Sequence, residues 1–98
     1  AAANAGLLMG EGVEVFSPIC HTHPIEQYCP SLAVKPHSFW MDRDRVLFDK
    51  CDGLLVLTDP GWLTSTGVTQ EVGWARERGI PILYMTPGVV PDELKKGN

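Results

Sequence analysis

Gly53-Leu54-Leu55-Val56-Leu57-Thr58 is an uninterrupted apolar run that breaks at Asp59-Pro60-Gly61, and a helix opens just beyond it with Ser65-Thr66-Gly67. The run shows no polar alternation, so it reads as a strand buried on both faces, the habit of parallel sheets. Ser65 is a helix N-cap residue type, and Thr66 and Gly67 begin the helix behind it. A helix start leaves backbone N–H groups without internal partners and carries a partial positive charge, which suits an anion. Glu71 follows Ser65 by six residues, so a carboxylate stands near the same mouth. An anion seat beside a carboxylate points to chemistry on a phosphorylated sugar.

Outward from this stretch, Thr66 to Arg78 reads as one helix, stopped by Gly79 and Pro81, and Ile82 to Met85 as the next strand. The tail holds a possible short helix at Asp92 to Lys96. Upstream, Ser38 is a plausible N-cap for a helix from Phe39 to Cys51. Val13 to Phe16 is a short strand candidate. Ala1 to Met9 reads as the last turns of a helix that stops at Gly10 and Gly12. Ser17 to Pro36 holds four prolines and no sustained period, so it is expected to be a long loop with at most one helical turn. The alternation predicts an α/β domain with a parallel sheet. Ligands then bind beyond the carboxyl ends of the strands, where the loops after Phe16, Thr58 and Met85 share an edge.

The chain has 98 residues, 44% of them apolar and 20% charged, with a formal net charge of −4. That is one globular domain. Lys and Arg are scattered without a basic stripe, which argues against nucleic acid as a partner. No apolar run reaches membrane-spanning length, so no membrane partner is expected. Cys20, Cys29 and Cys51 form no CxxC, and they read as reduced thiols of a cytoplasmic protein.

At ~100° per residue, Trp40, Leu47, Phe48 and Cys51 share one helix face with Asp44 in the middle of it. A buried carboxylate needs a partner or a purpose. A backbone amide, Arg43 or Arg45 is the plain alternative. On the later helix Val68, Val72 and Ala75 mark the buried face, and Glu71 borders it, either simply solvated or at work. Ser65 is either a cap alone or a phosphate ligand as well. His21 and His23, beside Cys20, either line a pocket as hydrogen-bond donors or bind a metal with Cys29. Their spacing fits no standard zinc pattern, so no metal site and no cofactor are assigned. His37 reads as an isolated surface residue. Trp62 either covers the core or stacks on a base.

Taken together, Ser65-Thr66-Gly67-Val68-Thr69-Gln70-Glu71-Val72-Gly73-Trp74-Ala75 resembles the Ser-x-Gly-x-x-x-Glu-x-Gly-x-Ala signature of the nucleoside 2-deoxyribosyltransferase-like superfamily. Asp44 stands eight residues before Asp52, a spacing similar to the family's. The loop Ser17-Pro18-Ile19-Cys20-His21-Thr22-His23-Pro24 more specifically resembles DUF1937, a family of small bacterial and phage proteins of unknown function. The likeness runs from Gly12 to Pro81.

The resemblance implies a three-layer sandwich with a parallel sheet, flavodoxin- or Rossmann-like, in strand order 2-1-3-4-5. The family's first strand has no counterpart here, so residues 1–98 read as a single domain, N-terminally incomplete. It implies that Glu71 is a carboxylate nucleophile at the anomeric carbon and Asp44 the assisting acid. It further implies that Ser65, with Thr66 and Gly67, holds a 5′-phosphate. His21, His23, Trp62 and Asp59 complete the expected substrate contacts. The expected activity is an N-glycosidase or deoxyribosyltransferase acting on a (deoxy)nucleoside 5′-monophosphate or nucleoside. The expected assembly is a homo-oligomer. The competing expectation is a nucleotide-binding module without catalysis.

Overall fold

In the computed structural model, residues 2–96 are described; Ala1, Gly97 and Asn98, at the ends of the expected first helix and tail, lie outside the described residues. In chain order come the helices α1 (Ala2–Gly10), α2 (Pro18–Tyr28), α3 (Pro30–Ala33) and α4 (His37–Phe48). Strand β1 (Leu54–Leu57), helix α5 (Thr66–Arg78) and strand β2 (Ile82–Met85) follow, with short 3-10 turns at Trp62–Thr64 and Asp92–Leu94. The two strands are parallel, Leu54 opposite Ile82 and Leu57 opposite Met85. The result is a small α/β arrangement with a two-stranded parallel sheet and several helices.

The β1–α5–β2 unit is closed by its own backbone. Leu54 N–H donates to Pro81 O at 2.9 Å and Thr58 N–H to Met85 O at 2.9 Å, one bond at each end of the ladder. Ser65 caps α5, its Oγ accepting from Val68 N–H at 3.3 Å. Gly79 ends the helix at φ 67, in the left-handed region that glycine tolerates, and Ile80 N–H reaches back to Ala75 O at 3.1 Å. Val56, Ala75 and Met85 are buried within this unit.

α4 docks on α5 through side chains. Phe48 meets Trp74 edge-on at 5.3 Å between centroids. Arg78 Nη1 donates to Phe48 O at 2.8 Å, and Arg45 pairs with Glu77 at 3.5 Å. On another side, α1 is tied to the segment after β2, Asn4 Oδ1 accepting from Gly88 N–H at 2.7 Å.

Three expectations are corrected. Val13 to Phe16 is not a strand: among the described residues the sheet contains β1 and β2, and this segment pairs with neither. Ser17 to Pro36 is mostly helical. Pro18 and Pro30 stand in the first turn of α2 and α3, where a missing N–H costs nothing, and Pro36 directly precedes α4. These prolines begin helices where they were read as breaking them. Finally, the buried stripe of α4 is Met41, Asp44 and Phe48, whereas Leu47 is 43% exposed. Packing of Phe48 on Trp74 turns the helix so that Asp44 stays inside and Leu47 faces out.

Candidate active site

The site starts at the N-terminus of α5. Ser65 is committed to capping: besides its Oγ bond to Val68 N–H, its carbonyl accepts from Thr69 N–H at 3.0 Å and from Thr69 Oγ1 at 2.9 Å. Among the described residues the N–H groups of Thr66 and Gly67 meet no acceptor. A Cβ added at Gly67 would meet only Ser65 Oγ, at 3.8 Å. Two amides and an open flank are therefore free at the positive end of the helix.

Glu71 lies one turn further along, partly buried. Its carboxyl is pushed up to about 7, first by burial and then by the negative charge of Asp44. Asp44 is only 9% exposed. Burial raises its carboxyl as well, opposed by the positive forms of His21 and His37. Charges on α2 and α4 thus act on Asp44, and that of Asp44 on Glu71 in α5.

The plain alternative for Asp44 fails on geometry. Arg43 donates to Phe39 O at 2.9 Å and lies over the Phe39 ring at 3.5 Å. Arg45 is held by Asp49 at 3.0 Å and by Glu77 at 3.5 Å. Among the described residues neither Asp44 nor Glu71 accepts a hydrogen bond or joins an ion pair. Two carboxyl groups that feel each other's charge ionise one after the other, so such a pair can offer an anion and an acid together.

Not every expected residue gathers here. His21 is exposed, packs edge-on with Phe16 at 5.9 Å, and acts on Asp44. His23 instead lines a separate hollow with Ile19, Cys20 and Pro24. Trp62 packs against Tyr84 at 5.6 Å in a groove with Val68, Val72 and Arg76, centred more than ~100° round α5 from Glu71. Asp59 is exposed, and its carbonyl accepts from Trp62 N–H at 3.2 Å to start the 3-10 turn. Thr66 is exposed at the helix start. Among the described residues no three His, Cys, Asp or Glu side chains come together as a metal would need, and the cysteines are free thiols. No helix of the described residues is long and apolar enough to cross a membrane.

His37 is exposed at the start of α4, as expected of a surface residue, and its charge acts on Asp44.

A family model described as Domain of unknown function (DUF1937) matches residues 1–87. The chain belongs to this family. The DUF1937 match spans His21, His37, Asp44, Ser65, Gly67 and Glu71, so the carboxyl pair and the helix start both lie within it. No curated protein and no solved structure matches the chain. The chemistry of this DUF1937 chain must accordingly be argued from its residues.

Proposed function

We propose that this protein cleaves or transfers the N-glycosidic bond of a (deoxy)nucleoside 5′-monophosphate or nucleoside. The observation that carries the reading is Asp44 and Glu71, a buried and a partly buried carboxyl group that accept no hydrogen bond and join no ion pair among the described residues, with Glu71 one turn along α5 from the free amides of Thr66 and Gly67. Departure of a base builds positive charge on the sugar, which a carboxylate stabilises and can capture as an ester. The leaving base needs a proton, which a carboxyl with a raised pKa supplies. A 5′-phosphate would take the N–H groups of Thr66 and Gly67, with Ser65 holding the turn in place.

The resemblance to nucleoside 2-deoxyribosyltransferase-like proteins supports the same chemistry, with Glu71 as nucleophile and Asp44 as acid. It also supports a fuller three-layer sheet of order 2-1-3-4-5 and a homo-oligomeric assembly, while the free cysteines support a cytoplasmic setting. Burial and the charge of Asp44 push the Glu71 carboxyl up to about 7, so near neutrality it is present both protonated and ionised.

The test is incubation of the full chain with a panel of nucleosides and their 5′-monophosphates, following free base by chromatography. Base release is expected, with a loss of about 100-fold or more in Glu71→Ala and in Asp44→Ala. Release that continues undiminished in Glu71→Ala overturns the reading. Thermal stabilisation by a nucleotide without any base release would instead favour a binding module.

A further inference from the structure

α1 has little of its own to hold it. Leu8 is its buried side chain, and among the described residues no backbone hydrogen bond joins it to another helix or strand. The segment after β2 grips it instead. Asn4 Oδ1 accepts from Gly88 N–H at 2.7 Å, and Glu11 Oε2 accepts from Lys96 N–H at 2.8 Å. Asn4, Leu8 and Glu11 recur at helical spacing and so share a face. Glu11 stands just past the helix, held there by its N–H on Leu8 O at 3.0 Å and by the turn at Gly12, φ 84. The two grips follow chain order on both sides, so the segment runs along α1 in the same direction. The rise from Asn4 to Glu11 is about 10 Å, far short of the extended reach from Gly88 to Lys96, about 27 Å. Local folding takes up the difference. Val89 N–H donates to Thr86 O at 2.9 Å around Gly88, φ 82, a 3-10 turn covers Asp92–Leu94, and Lys95 pairs with Asp92 at 3.1 Å.

The helix so held is also a wall. Ala2 lines a hollow with Ile19, Cys20, His23 and Pro24 of α2. Among the described residues no hydrogen bond or ion pair crosses from α1 to α2, so the wall stands where the grip on α1 puts it. We propose that residues 86–96 are a clasp for α1: Asn4 and Glu11 close it, and its release opens the hollow beside Cys20. The ladder bonds of β1 and β2 involve none of these residues, so the clasp can open while the sheet stays closed. The grip at Glu11 is the stronger, because its acceptor is a carboxylate. The clasp stands apart from the carboxyl pair and does not depend on the glycosidase reading.

The test compares the full chain with Asn4→Ala, Glu11→Ala and the double variant, by two readouts. NMR temperature coefficients of the amide protons report whether the N–H groups of Gly88 and Lys96 are bonded. Alkylation by iodoacetamide, followed by mass spectrometry, reports the hollow at half-buried Cys20, with exposed Cys29 as the internal standard. In the unaltered chain both amides should show the small coefficients of bonded protons. The two grips of a clasp support each other, so Asn4→Ala should free Lys96 as well as Gly88, and Glu11→Ala should free Gly88 as well as Lys96. In the double variant Cys20 should react about threefold faster or more, and Cys29 at an unchanged rate. Asn4→Asp and Glu11→Gln retain an acceptor oxygen and should leave Cys20 slow. Loss confined to the amide beside each substitution shows two separate contacts and overturns the clasp. So does a Cys20 rate unmoved in the double variant. The amides of Leu54 and Thr58 should stay bonded throughout; their release together with Gly88 and Lys96 would make the contact part of the core, and overturns the proposal as well.

Discussion

The β1–α5–β2 unit and the α2–α3 stretch are held by opposite means. In the first, a ladder, an N-cap and a glycine stop satisfy the backbone, and Val56, Ala75 and Met85 are 3%, 0% and 1% exposed. In the second, no residue of either helix is buried, and Tyr28 stands 80% exposed. The site draws on both. Glu71 comes from the firmly packed unit, whereas His21, which acts on the partner carboxyl, comes from the lightly packed one. Such segments open at low cost without disturbing the core.

The contrast can be broken from the core outward. Met85→Ala should lower stability by about 2–5 kcal/mol in urea denaturation, because it empties a fully buried position.

Glu71 gives the next effect, and its sign follows from proton linkage. The folded protein holds a proton on Glu71 up to about 7, whereas the unfolded chain loses it near 4.5. The folded state therefore binds more protons between these values, and its stability declines as pH rises through that window. Glu71→Gln should abolish this decline and stabilise the protein above neutral pH by up to about 3 kcal/mol, a ceiling because the group is partly exposed and water screens it. Denaturation at a series of pH values checks it, and a decline of unchanged slope in the variant would refute it.

Arg78→Gln should cost about 1 kcal/mol through loss of the bond to Phe48 O that joins α5 to α4. Tyr28→Ala should change stability by no more than about 0.5 kcal/mol. A Tyr28→Ala cost near that of Met85→Ala would erase the distinction between the two regions.

What could be read in advance follows the same division. The bounds of α5 and β2 were legible because Ser65, Gly79 and Pro81 mark them locally. Asp44 was legible as a buried acid, but not its neighbours, since Trp40 and Leu47 are as apolar as Met41 and only contact with Trp74 chooses between the faces. Pro18 and Pro30 misled because one residue type both ends and begins helices, depending on the backbone that follows. Val13 to Phe16 has the composition of a strand, but a strand exists only beside another. At the site, Asp44, Glu71 and the start of α5 were marked by pattern. Trp62 and His23 lie elsewhere because loop proximity in sequence does not fix the direction of a side chain.

The parallel register has a consequence for the strand itself. The amides of Leu54 and Thr58 are spent on the β2 side, and by alternation those of Leu55 and Leu57 point to the far margin of the ribbon. Deuterium from solvent should therefore enter β1 at every second residue. An extended peptide laid along that margin would even out the alternation before it altered anything else.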